Sequence, residues 1–255
     1  MKHKFLQILL LIILTISIFI GPYSSFLNIK IYSESISIDV ERGSSNFQIL
    51  SNFIVDPSFV ETIFIKLFLS LNPSNYQSGE YQVANKSIID LHKQLTLGNT
   101  ITHEITIVPG MNKYDINEIV NNSFLKNDCM FLNCLQSKYK FTEGLILPDT
   151  YYYKKGMQAS TLFNRSSAEL IKYVESIWET KPLTNPLQSP EDSLILASII
   201  EKEAGNDFEK NKIAGVFLKR LKINMRLQAD PTIIYGLLPN FDGDIKKSNI
   251  KDKKN

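Results

Sequence analysis

The sequence lacks the features that would support several common readings. It holds two cysteines, Cys129 and Cys134, spaced C-x4-C with no histidine nearby, a pattern that does not argue for zinc. It has no strong excess of one charge: 28 basic side chains stand against 26 acidic ones, a formal net charge of +2. No global field therefore recommends nucleic acid as a partner. Much of the basic excess is local, in Lys246, Lys247, Lys251, Lys253 and Lys254, and such a run reads as a solvated end. Behind the one long apolar run there is no clean small-x-small cleavage site and no cysteine to carry a lipid. No residue motif recurs strongly enough to mark a repeat architecture. No metal or cofactor is expected from these patterns.

The chain does have ordinary globular material. At 255 residues, 44% hydrophobic and 21% charged, it has room for a membrane anchor and one or two domains with a sizeable core. Phe5 to Ile20 (FLQILLLIILTISIFI) holds no charge and follows Lys2, His3 and Lys4, which predicts an uncleaved membrane-inserting anchor over residues 1–26. The leading positive residues place the N-terminus in the cytoplasm and residues 27–255 on the far side of a single-pass protein. There Cys129 and Cys134 form either a small disulfide loop or two free thiols.

Beyond the apolar run, Ser35 to Val40 alternates as a half-buried strand, and Thr100 to Val108 does so again before Pro109-Gly110. Between them, Arg42-Gly43-Ser44-Ser45 offers a turn and cap for one helix, and Asp56-Pro57 offers a cap for a second. Ser87 caps a third helix carrying Ile88, Leu91 and Leu95 and ending near Gly98, and a further helix contains Ile116 and Ile119. The result is α+β, either an ordinary domain or a pair of glycan-binding modules. After Lys140 the pattern turns mainly helical, with amphipathic runs at Ser166 to Trp178, Glu191 to Ala204 and Asp207 to Leu221.

The segment Leu194 to Gly236 carries the candidate chemistry. On a helical wheel Glu203 falls near Leu196, Ile199 and Ile200, whereas Glu201 points the opposite way. A carboxyl on an apolar face either finds a cation, here Arg220 or Arg226, or keeps its proton toward neutrality, as a general acid must. Asp230 before Pro231 is a ready helix cap. Gln228 and Thr232 bring an amide and a hydroxyl suited to sugar hydroxyls and acetamides.

Several ordered motifs here resemble those of the YceG-like endolytic murein transglycosylases. Ala197 to Glu203 (ASIIEKE), Val216 to Leu221 (VFLKRL) and Met225 to Gly236 (MRLQADPTIIYG) follow the family's order and spacing, and Glu143 to Tyr151 (EGLILPDTY) is similar to an upstream landmark. Gly79-Glu80-Tyr81 and Val108 to Met111 (VPGM) resemble further landmarks. The resemblance implies a membrane helix, a small LysM-like α+β module over 27–138 and a mainly helical, lysozyme-like catalytic domain over 139–255. It implies Glu203 as the catalytic residue, with Gln228, Asp230 and Thr232 binding substrate. It also implies that the chain stops short of the family's P-Y-N-T-Y and G-L-P-P-x-P-I segments, leaving the catalytic domain incomplete.

The activity so implied is that of a lyase of the bacterial inner membrane. It would cleave the β-1,4 bond between N-acetylmuramic acid and N-acetylglucosamine in peptidoglycan strands, forming a 1,6-anhydro ring, with membrane cell-wall synthases as candidate partners. Two other readings compete. One is a muramidase-like hydrolase with Asp149 or Asp230 as second carboxylate, and the other is a non-catalytic, membrane-anchored wall binder.

Overall fold

The computed structural model describes residues 2–30, 37–54 and 56–250, apart from the side chains of 2–12 and 16. The chain divides into two compact units, Met1–His103 and Glu104–Asn255. The divisions expected at 26/27 and 138/139 follow role, whereas the division by packing falls at 103/104.

The first unit opens with α1 (Lys2–Asn28), which contains the apolar run. Among the described residues no helix is long and apolar enough to cross a membrane. The expected anchor thus finds no support there, and half of its side chains lie outside the described set. After α1 come β1 (Ser37–Val40), α2 (Asn46–Ile54), α3 (Phe59–Leu71), β2 (Gly79–Gln82) and α4 (Ile88–Leu97). The strand expected from Ser35 begins at Ser37, and its first two residues lie outside the described ones. β1 and β2 pair antiparallel, with Ile38 opposite Tyr81 and Asp39 opposite Glu80. This closes a βααβ unit over a core of Leu50, Ile65, Tyr81, Val83 and the α4 stripe Ile88, Leu91 and Leu95.

Local chemistry sets the helix starts. Ser87 and Asp90 cap each other's backbone at the start of α4, and Gly98 ends that helix in the left-handed region at φ 69°. α3 is capped by Ser58 with Glu61 rather than by Asp56. Asp56 itself sits at φ 52°, outside the helix.

The second unit holds β3 (His103–Thr106), α5 (Lys113–Asn121), a short 3-10 turn (Met130–Leu132), β4 (Thr150–Tyr153), α6 (Ala159–Glu179), α7 (Pro190–Glu203), α8 (Asp207–Lys222), α9 (Asp230–Leu237) and α10 (Lys247–Ile250). β3 is shorter than expected and pairs with β4. α6 starts seven residues before the expected run, at Ala159, which is itself buried. Cys129 and Cys134 form a disulfide across a Cα separation of 4.8 Å.

Two apolar clusters organise this unit. The larger gathers Ile105, Ile116, Leu145, Tyr151, Leu162 and Phe163. Within it the buried Ser166 hydroxyl accepts from the Leu147 amide at 2.9 Å and lies 2.6 Å from the Tyr151 hydroxyl, which also donates to the Leu147 carbonyl. Burial raises the Tyr151 phenol above its ordinary pKa. The smaller cluster is Leu196 of α7, Phe217 of α8 and Ala229, edged by Ile199, Ile200 and Leu227. It determines where the candidate site lies.

Candidate active site

The site begins with α7. Ser189 caps it in a reciprocal box with Asp192, and Pro190 occupies the first turn, where its missing N–H costs nothing. Leu196, Ile199 and Ile200 turn inward, and the helix ends on Glu203, with Ala204 as C-cap. Glu203 thus lies at a helix C-terminus, but not on a buried face.

The exposure of the two glutamates reverses the wheel's expectation. Glu203 is exposed. On α7 the apolar cluster stops at Ile199 and Ile200, and the chain turns away through Ala204 to Asn206, so among the described residues nothing buries the position the wheel assigned to Glu203. Glu201, expected in solvent, has a side chain only 28% exposed and pairs with Lys210 of α8 at 2.6 Å. Lys210 also reaches Asp207, at 2.7 Å. Hydrogen bonding to these two carboxylates raises the Lys210 pKa, with Asp207 the larger cause.

The structural ion pair weighed for Glu203 does not form either. Arg220 donates instead to the Leu227 carbonyl and closes the loop between α8 and α9. Among the described residues Glu203 makes no side-chain hydrogen bond or ion pair. Of the two carboxylates in Glu-Lys-Glu, one is engaged and one is free.

The segment after α8 comes back onto the same cluster. Ala229 is buried against Leu196 and Phe217, and α9 packs on α7. Ala229, not Asp230, is the N-cap of α9, and the Asp230 side chain makes no capping bond. With Pro231 fixed in the first turn, Asp230 is already the first helical residue, past the position from which a cap carboxylate reaches back. Its charge still favours the helix N-terminus. Gln228 is exposed at φ 55°, in the left-handed region.

The Thr232 hydroxyl donates to the Ala229 carbonyl at 2.7 Å, so its hydrogen is used within the turn. Glu203, Gln228 and Asp230 therefore flank one small core with polar groups free, while Thr232 is partly committed.

Two landmark motifs, Val108 to Met111 and Glu143 to Tyr151, make contacts that the sequence did not foretell. Gly110, at φ +80° in the Val108 to Met111 turn, lies so close to α7 that an added Cβ would meet Lys202 Cε at 3.3 Å and Glu201 Cγ at 3.4 Å. The Tyr235 hydroxyl of α9 donates to Glu143 Oε2, while Glu143 Oε1 accepts from the Lys113 amide at 2.9 Å. Burial, and then the Glu143 bond, raises the Tyr235 phenol's pKa. Glu143 thereby ties α9 to the start of α5, a link between distant residues that no local pattern signals.

The fold is that of a mixed α and β protein of two units, in which α7 ends on the exposed Glu203 and packs through Leu196 against Ala229, with Gln228 and Asp230 exposed on either side of that alanine. The chain belongs to the YceG-like family, which it matches over residues 38–255. It is similar to the endolytic murein transglycosylase of Bacillus subtilis (strain 168), 26% identical over 235 residues, covering 79% of this chain and 63% of that protein. It is also similar to the endolytic murein transglycosylase of Streptococcus pneumoniae serotype 2 (strain D39 / NCTC 7466), 31% identical over 93 residues, covering 36% of this chain and 16% of that one. The chain thus spans less than two thirds of the length of either relative. Among solved structures it resembles a YceG-like protein from Listeria monocytogenes with a TM-score of 0.45 and 22% identity, covering 86% of this chain and 80% of that one.

Proposed function

We propose that the chain acts on peptidoglycan glycan strands as an endolytic lytic transglycosylase, with Glu203 as its acid and base. The observation that carries this reading is the division of labour in Glu-Lys-Glu: Lys210 engages Glu201, and Glu203 keeps a free carboxyl at the end of α7, the helix whose Leu196 packs with Ala229, the residue between Gln228 and Asp230. Among the described residues nothing covers Glu203, so its carboxyl is open to an incoming glycan.

Protonated Glu203 would give its proton to the bridging oxygen as the bond from C1 of N-acetylmuramic acid breaks. The resulting carboxylate would take the proton of the same sugar's C6 hydroxyl as O6 closes on C1. Water takes no part, and one carboxyl serves both steps. Gln228 and Asp230 would hold the sugar's hydroxyl and acetamide groups, and Thr232 would contribute its remaining acceptor capacity.

The same reading places α1 in the bacterial inner membrane, with Lys2, His3 and Lys4 in the cytoplasm and the rest outside, where cell-wall synthases are candidate partners. At 27 residues α1 is about 40 Å long, against a hydrocarbon core of about 30 Å. A disulfide at Cys129 and Cys134 suits an oxidising compartment. In this reading the βααβ unit of β1 to β2 would hold glycan, the role expected of a LysM-like module. The cleft lined by Asp39, Ser44, Gln48 and Asn52 offers suitable polar groups.

One observation favours a second reading. Asp230 is exposed and free of capping duty, as the second carboxylate of a muramidase-like hydrolase would need to be. Mass analysis of the products from purified glycan strands separates the cases. Anhydro ends support transglycosylation, reducing ends support hydrolysis, and no product leaves the wall-binding reading. Glu203→Gln should lower product formation by about 10²- to 10⁴-fold without lowering stability, since the side chain is exposed and unpaired. Glu201→Gln should leave turnover nearly intact. A fully active Glu203→Gln would refute the assignment.

A further inference from the structure

α3 begins at a fixed point, because Ser58 and Glu61 lock its first turn in a capping box. The first residues after that cap are apolar yet face solvent: Phe59 is 81% exposed, Val60 54% and Ile63 42%. At about 100° per residue these three share one side of the helix, and the stripe continues to Phe64. Phe64 is only 5% exposed because α1 covers it. The rings of Phe19, Tyr23 and Phe26 lie 5.4, 5.4 and 5.5 Å from its own. One apolar stripe therefore passes from contact with α1 to open solvent without leaving the helix. The neighbouring surface of α1 is apolar and open as well, with Ile18 66% and Ile20 54% exposed.

We propose that the first two turns of α3 are a membrane-docking surface that sits in the headgroup layer of a lipid bilayer beside α1. The inference rests on the reading of α1 as an anchor, and it adds that the βααβ unit lies on the membrane rather than hanging from it. The level at which the helices meet argues for lipid over a protein partner. Phe19, Tyr23 and Phe26 fall at the end of the apolar run, where an anchored helix leaves the hydrocarbon, so Phe59, Val60 and Ile63 are held at the depth of the interface. A half-apolar helix face with aromatic rings is stable there. Lys66, exposed one turn beyond Ile63 with its ammonium 5.4 Å from the centre of the Phe47 ring, borders the stripe and would have to leave that ring to reach lipid phosphates. Apolar surface gathered in this way on one side of a small unit marks an interaction site rather than ordinary scatter.

The test uses the full chain in vesicles of phosphatidylcholine and phosphatidylglycerol. The native cysteines are joined, so a single introduced cysteine is the only free thiol for an environment-sensitive dye. Val60→Cys reports on the proposed surface, Leu14→Cys on the anchor, and Lys93→Cys on an exposed position of α4. We expect the dye at Leu14 to be quenched by deeply placed doxyl lipids, and the dye at Val60 to shift to the blue and be quenched by shallow ones. The dye at Lys93 should do neither. Quenching at Leu14 without quenching at Val60 overturns the proposal and leaves the anchor standing. No quenching at either position overturns both. A blue shift at Val60 that appears in lipid-free detergent, together with dimers in sedimentation, assigns the face to a second copy of the chain and also overturns the proposal.

Discussion

Replacing Gly110 with alanine probes the contact between the 108–111 turn and α7, and its cost can be worked from the geometry. Gly110 sits at φ +80°, where an L side chain costs about 1–2 kcal/mol. The new Cβ would also meet Lys202 Cε at 3.3 Å, Glu201 Cγ at 3.4 Å and Lys202 Nζ at 3.4 Å. These atoms belong to flexible side chains that can give by a few tenths of an ångström, so backbone strain should dominate. Gly156 supplies the control, at φ +75° with nothing within 4 Å of its Cβ. Gly156→Ala should cost the same strain with no contact on α7. Both variants should lose about 1–2 kcal/mol, or about 2–4 °C of melting temperature per kcal/mol. Trp178, the only tryptophan, lies in α6 and reports unfolding of the second unit in a urea titration. Because the side chains it meets on α7 can yield, Gly110→Ala should leave turnover close to that of Gly156→Ala. A neutral Gly110→Ala would refute the backbone assignment. A loss more than about 1 kcal/mol beyond the control, the low end for overpacking once the shared strain is subtracted, would refute the claim that the contact is soft.

Ser189→Ala removes one half of the α7 capping box and should cost about 1 kcal/mol in the same titration; an unchanged midpoint would show the cap to be idle. Tyr235→Phe removes the hydroxyl that binds Glu143 and should speed amide hydrogen exchange in α9 while leaving α6 unchanged. Equal protection in both proteins would show that the bond does not hold α9. Acid should destabilise the first unit through its caps. Side-chain and backbone bonds from Ser58 lower the Glu61 pKa below its ordinary 4.5, and backbone and side-chain bonds from Ser87 lower Asp90 below its ordinary 3.8. Groups depressed in the folded state stabilise it above their unfolded values, and that stability fades as pH falls through and below about 4.5. The loss should shrink but not vanish in the double variant Ser58→Ala, Ser87→Ala, because the backbone N–H groups at 58 and 87 still donate to the two carboxylates.

Helices were legible where their signals are local. α4 carries its whole description within a dozen residues: a capping serine at 87, apolar positions at 88, 91 and 95, and a left-handed glycine at 98. α8 ends one residue beyond its expected limit because its periodicity and basic last turn lie within the element. Of the four-residue strands, β1 and β3 were legible within the alternating runs at 35–40 and 100–108, whereas β2 and β4 were not. β2 exists because Tyr81 and Glu80 find Ile38 and Asp39 across two helices, and β4 because residues near 150 find those near 106. Strands this short carry too few alternations to stand out, and their partners are set by how intervening helices fold back.

The two glutamates show the same limit within the site. A helical wheel gives the direction of a side chain but not the presence of anything standing opposite it. Glu203 has the direction of Leu196, Ile199 and Ile200, yet it lies at the height where α7 has ended and the chain turns through Ala204 to Asn206. Burial needs a neighbour at that height, and the described residues supply none. Glu201 points away from the stripe but meets Lys210, which stands in the first turn of the returning helix, and Gly110, which comes from a turn ninety residues earlier. The identity of the free carboxyl is therefore decided by α8 and the 108–111 turn, not by α7's own pattern. The pairing of Glu201 with Lys210 gives the proposal for Glu203 a physical reason that the motif alone lacks: its neighbour's charge is already engaged. The catalytic proposal for Glu203 rests on that pairing, and the helical wheel no longer contributes to it.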